Sequence, residues 1–152
     1  MVRFITLVAV VFTCTAVAAT VALKPYPGAK VDEKASQTAT TMLKSLGEKK
    51  ASMLKATVYM TGDAFEKVTA YYLAKGKETR PPSTKPDDLK RLPWGETIKE
   101  MYVIFDGTKD IIASNAWAHI QRPFVGTMAM TGGKVVMDDI RDVTVITVVS
   151  EK

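Results

Sequence analysis

The chemistry open to this chain is limited first by what is scarce. His119 is the only histidine and Cys14 the only cysteine among 152 residues. No multi-histidine metal site, cysteine zinc cluster or disulfide framework can therefore be built. Any nucleophilic triad must use His119. The nearest serine before it is Ser114, and the Gly-x-Ser-x-Gly elbow that exposes a nucleophile is absent. Beside Trp117, His119 reads equally well as a strand histidine whose nitrogens are satisfied by backbone or water. The acidic pairs Asp87-Asp88 and Asp138-Asp139 offer a general acid and base, or ligands for a hard cation. Adjacent strand residues point to opposite faces, however, and turn carboxylates face water. Asp106 to Asp110 has part of a calcium-loop spacing without the closing Glu. Thr131-Gly132-Gly133-Lys134 runs on into Val135 with no helix start, which excludes a P-loop. Met128, Met130 and Met137 could present thioethers to Cu(I) with His119, although methionines at this spacing more often fill a core. These patterns assign no catalytic residue, no metal ligand and no cofactor.

A binding surface is the remaining candidate. Trp94, Trp117, His119, Arg122 and Tyr72, with Tyr71 and Phe124 nearby, would line an aromatic groove with one cation beneath a proline-rich loop. Such a platform suits saccharides, peptides or acidic ligands. The competing reading makes the same rings the bulk of the core.

The elements that must position these residues follow an N-terminal address. Arg3 precedes an apolar run from Phe4 to Ala19, with small residues at Ala16 and Ala18. This is the pattern of a secretory signal peptide over residues 1–18, with the cut near 18–22. The alternative is a retained membrane anchor, since Phe4 to Leu23 is about long enough to span a bilayer. Cys14 follows Phe12 and Thr13, a poor lipidation site, and reads as an apolar residue of the signal. The expected location is periplasmic or extracellular, with membrane contact only if the N-terminal segment is kept.

A formal charge of +5 with 47% hydrophobic and 24% charged residues describes a folded domain. Residues 19–152 suit one such unit. The basic excess is uneven: Lys24 to Lys55 holds seven lysines against three acids, and Glu100 to Lys152 five basic residues against seven acids. A solvated helix face accounts for the lysines, and without a basic run or recognised motif nucleic acid is not an expected partner.

Along the chain, Val31 to Leu46 has helical spacing, with Val31, Ala35, Ala39, Met42, Leu43 and Leu46 near one face, Asp32 and Glu33 at its positive end and Gly47 as a stop. Met53 to Thr61 reads as a strand. Asp63 and Glu66 resemble a capping box opening a helix with Phe65, Val68 and Tyr72 inward, ended by Gly76. Pro81, Pro82, Pro86 and Pro93 break regular structure through a loop over 77–95, in which Asp87 to Leu92 has room for one helical turn. Strands are expected at Thr97 to Phe105, at Ala116 to Gln121, on both sides of Gly132-Gly133, and at Asp142 to Val149. The last has apolar residues on both faces and should be central. The fold class is α+β, an antiparallel or mixed sheet of about four to five strands with two helices packed on one face.

Pro25-Tyr26-Pro27-Gly28-Ala29 after the signal, then a strand leading to Phe65-Glu66-Lys67-Val68 with Tyr71-Tyr72, resembles a class of small exported bacterial proteins of unknown function. Those proteins share a YPGA-type lead-in and a strand–turn–helix unit ending in a Tyr pair. The resemblance covers about the first half of the mature chain. It implies export and a small α+β domain, and brings no functional residues with it. The leading functional expectation is a non-enzymatic binding or accessory module of the cell envelope, with a small ligand or an envelope protein as partner. The alternatives are a small secreted hydrolase using His119 with carboxylates, and a membrane-tethered structural protein.

Overall fold

The computed structural model describes residues 23–80 and 91–152. The signal segment with Cys14, the prolines Pro81, Pro82 and Pro86, and the Asp87-Asp88 pair lie outside them. The chain enters through a type II turn in which Ala29 N–H donates to Tyr26 O at 3.1 Å and Gly28 takes φ 76°. Strand β1 (Lys30–Val31) follows, then helix α1 (Glu33–Met42), a 3-10 turn (Leu43–Leu46) and helix α2 (Glu48–Met53). Next come β2 (Leu54–Thr61), α3 (Phe65–Leu73), β3 (Lys77–Thr79), β4 (Lys99–Ile104) and β5 (Trp117–Arg122). The chain closes with β6 (Phe124–Thr131), β7 (Lys134–Arg141) and β8 (Thr144–Glu151).

Six strands form one antiparallel sheet in the order β1-β2-β8-β5-β4-β3, while β6 and β7 make a separate two-stranded ribbon. The α+β class expected from sequence holds in a strand-rich form, and its detail is corrected. The sheet is larger than four to five strands, because β1 and β3 are too short to show alternation. A three-residue strand also sits inside the stretch expected to be irregular loop. As expected, β8 is interior, with Ile146 and Val149 fully buried.

The helices do not share a face. Val68 and Tyr72 of α3 pack with Val103, Ala118, Ile120, Ile146 and Val148 on one side of the sheet. Leu43 of the 3-10 turn packs with Leu54, Ala56, Ile104, Trp117 and Val149 on the other. Helix α1 itself borders β2. Val58 N–H donates to Ser36 Oγ at 2.8 Å, and Thr40 Oγ1 donates to Ala56 O at 3.1 Å. Beyond the two residues of β1, hydroxyls one helical turn apart take over the pairing of an edge strand, leaving no open ladder there. Of the threonines of this helix, Thr40 serves the sheet, and Thr38 and Thr41 donate to carbonyls four residues back. Asp32 caps α1 by accepting from Ala35 N–H at 2.8 Å. Gly47, at φ 99°, ends the 3-10 turn as anticipated.

At α3 the capping-box expectation is corrected. The N-cap is Ala64, with no side-chain cap. Asp63 instead accepts from Tyr26 Oη at 2.6 Å and Lys67 Nζ at 3.0 Å, and those bonds hold its carboxyl below the usual range. Tyr26 stacks edge-on against Tyr71, and Tyr71 against Tyr72. The Tyr-Pro-Gly turn and the tyrosine pair are thus two halves of one structural clasp.

Gly76 is required for space. A Cβ there would lie 2.5 Å from Ile104 O and 2.7 Å from Val103 Cγ1. Gly76→Ala must push β4 away, with an expected loss of about 2 kcal/mol, or roughly 6 °C in melting temperature. Gly62→Ala, with nothing within 4 Å of its added methyl, is the control and should melt with the parent.

Candidate functional site

Antiparallel register places Trp117, His119 and Gln121 on the sheet face away from α3, as their alternation predicts. His119 lies opposite Tyr102 on β4 and Thr147 on β8, and Trp117 lies opposite Ile104 and Val149. Over this face the chain curls from the C-terminal end of α1 into the 3-10 turn, bringing Met42, Leu43 and Leu46 above the aromatic floor. Ile111, from the loop after β4, closes the side. Between floor and roof lies a cavity of about 260 Å³.

The floor has a defined chemistry. The His119 and Tyr102 rings are stacked, 4.2 Å between centroids and 12° apart in plane. His119 Nε2 stands 3.5 Å from Glu100 Oε2, with side chains only 18% and 14% exposed. Burial, and then the charge of Glu100, push the Tyr102 phenol up to about 12, so it stays neutral at physiological pH. The indole Nε1 of Trp117 is buried with no hydrogen-bond partner among the described residues. A buried donor left unpaired costs about 1–3 kcal/mol.

The five sequence candidates do not form one surface. Trp117 and His119 do meet on this floor. Tyr72 is fully buried on the opposite face, where α3 packs. Trp94 is 59% exposed in a turn, where its indole donates to Glu96 Oε2 at 2.9 Å. Arg122 is held in a structural clamp, donating to Asp142 Oδ1 at 2.9 Å, to Asp63 O at 2.9 Å and to Thr144 Oγ1 at 3.2 Å. The groove expected from these aromatics with one cation is therefore not assembled. Its error was to join residues by type when sheet parity separates them. Tyr102 was missed, although the alternation of Glu100, Tyr102 and Ile104 with Met101 and Val103 carried the signal.

Other candidates resolve as structure. Ser114 is fully buried and donates to Asp106 Oδ2 at 3.0 Å, making it a loop brace. Met128 pairs across the ribbon with Met137, whereas His119 is on the main sheet, so the thioethers and the imidazole belong to different sheets. Among the described residues no three His, Asp or Glu side chains converge as metal ligands. A broader cleft of about 680 Å³ runs past Lys77, Arg80, Lys109 and Asp110, but these are exposed charges. The cavity with its aromatic floor and aliphatic roof is the stronger site.

Compared with protein-family models, with curated proteins and with solved structures, the chain matches none. Among the described residues no helix is long and apolar enough to cross a membrane.

Proposed function

We propose that this protein is an exported, non-enzymatic binding module of the cell envelope, whose cavity takes one small aromatic ring. Export is supported by Arg3, the apolar run from Phe4 to Ala19 and the small residues at its end. The observation that carries the binding reading is the cavity of about 260 Å³ between the stacked His119–Tyr102 floor and an aliphatic roof. A dry cavity of about 150 Å³ accommodates benzene, so about 260 Å³ accommodates a substituted ring. The chain has two tryptophans, so Trp94→Phe leaves Trp117 as the only indole reporter. Titration of that variant with 4-hydroxybenzaldehyde should quench Trp117 saturably, with a Kd between about 10 µM and 1 mM. Leu43→Trp fills the cavity from its roof; because it adds an indole it is compared with the parent by isothermal titration calorimetry, where it should take up no ligand. Non-saturating quenching of the Trp94→Phe protein, or equal heats from parent and Leu43→Trp, would rule the site out.

The approach of His119 to Glu100 favours one second reading, a hydrolase for small aryl esters in which Glu100 orients His119 as general base. Turnover of 4-nitrophenyl acetate lost in a folded His119→Ala protein would establish it over the binding reading. Turnover no faster than buffer leaves the binding reading in place.

A further inference from the structure

The β6–β7 ribbon is the least supported part of the molecule. Its eight-residue strands would extend roughly 25 Å, and a two-stranded hairpin in water is marginal unless a face is covered. Among the described residues its ion pairs lie at the base, where Arg141 meets Asp139 at 3.2 Å and Asp32 at 4.0 Å. Toward the tip, Met128 pairs with Met137 and Met130 with Val135, so four apolar side chains share one ribbon face. Met130 is 66% and Val136 49% exposed.

The strand β7 is self-complementary in charge. Lys134-Val135-Val136-Met137-Asp138 reads basic, three apolar, acidic. If two copies pair antiparallel about a two-fold axis at Val136, each Lys134 falls opposite Asp138 of the other copy. The backbone agrees with this register. Gly132 and Gly133, at φ 57° and 75°, form a two-residue type I′ turn. Such a turn closes on a hydrogen-bonded Thr131–Lys134 pair, so Lys134, Val136 and Asp138 direct their amides toward β6. The amides of Val135 and Met137 then face outward. In the two-fold pairing Val135 and Met137 of one copy bond Met137 and Val135 of the other. Lys134 and Asp138 occupy the non-hydrogen-bonded pairs, where opposing side chains come closest.

We propose that β7 is the edge through which two copies of this chain associate, joining their ribbons into one four-stranded antiparallel sheet. The interface is isologous and closed, so it yields a dimer and not a fibre. It stacks Met130, Val135, and then Met137 and Met128 of the second copy in one row, with the two-fold mate beside it. Eight apolar side chains form a continuous face, and the exposed Val136 meets its own copy at the axis. The cavity lies on the main sheet, so the dimer leaves the binding reading independent of this one.

Sedimentation equilibrium of the full mature chain across micromolar to millimolar concentrations is the test. A monomer–dimer equilibrium is expected. Val135→Pro removes only an outward amide and should be a folded monomer by circular dichroism. Lys134→Asp opposes like charges twice and should weaken association about tenfold. Adding Asp138→Lys to it restores complementarity in the reversed sense and should restore the dimer, which loss of folding cannot mimic. A monomer at every concentration would overturn the proposal, as would a dimer indifferent to Val135→Pro and to charge reversal. A monomer that sediments with phosphatidylglycerol vesicles would instead assign the ribbon to a lipid surface and also overturn it.

Discussion

Ile146→Asp is expected to yield no folded protein. Ile146 sits on β8, between β2 and β5, pairing with Tyr59 on one side and Ile120 on the other. It is fully buried in the cluster that Val68 and Tyr72 of α3 cover. An unpaired carboxylate there has no cation within that apolar cluster, and burying it costs several kcal/mol beyond the lost packing. A domain of this size holds about 5–15 kcal/mol in total, so the sum removes most of it. Ile146→Val, which deletes one methyl group from the same site, should cost only about 1 kcal/mol. Urea denaturation followed by circular dichroism separates the two. A cooperative transition for Ile146→Asp near the parent midpoint would show that the core lies elsewhere.

Asp106→Ala should produce the next largest loss, about 3 kcal/mol, for a different reason. The Asp106 carboxylate organises the loop after β4. Its Oδ2 accepts from Ser114 Oγ at 3.0 Å, from Asn115 N–H at 2.7 Å and from Ala116 N–H at 3.2 Å. Its Oδ1 accepts from Thr108 Oγ1 at 2.7 Å. Removing it deletes these four bonds at once and leaves the fully buried Ser114 with only its exchange of hydrogen bonds with the Ala116 backbone. The same loop delivers Ile111 to the cavity wall, so ligand affinity should fall along with stability. Burial acts to raise the Asp106 pKa, but hydrogen bonds from Thr108, Asn115 and Ser114 outweigh it and hold the carboxyl below its usual value. A depressed folded-state pKa contributes stability that is full above the unfolded value, near 4, and fades as pH falls through the folded one. The gap in urea midpoint between the parent and Asp106→Ala should therefore be full at pH 7 and narrow below about pH 4. A gap of constant width down to pH 2 would mean that the ionised carboxylate does not hold the loop.

How much of this was legible in the sequence depends on how local each signal is. The strand–helix unit around Phe65 to Tyr72, the Gly132-Gly133 turn and the buried character of Val145 to Val149 each rest on residues within a few positions of one another, and each is found. The parity of Trp117, His119 and Gln121 on β5 was also readable, because alternation is local. What was not readable is how distant elements meet. Nothing in Ser36 or Thr40 announces that their hydroxyls serve the edge of β2, and nothing near Asp63 announces Tyr26 as its donor. The groove assigned to Trp94, Trp117, Tyr72 and Arg122 failed for the same reason. Residue type suggested a common surface, while strand order places Tyr72 and Trp117 on opposite sides of the sheet and uses Arg122 as a clamp. Half of the cavity was in view from the start: Leu43 and Leu46 were on the predicted helix stripe and Trp117 and His119 on a predicted strand face. Only the register of β4 against β5 adds Tyr102 and joins roof to floor.

The space between the 3-10 turn and the Trp117–His119 floor is the proposed ligand site. Native mass spectrometry of the protein purified from cells that make it tests this most directly. The expected spectrum shows one small organic molecule per chain, retained by the parent and missing from Leu43→Trp. A bare parent chain that also takes up no 4-hydroxybenzaldehyde in the same spectrometer would contradict it.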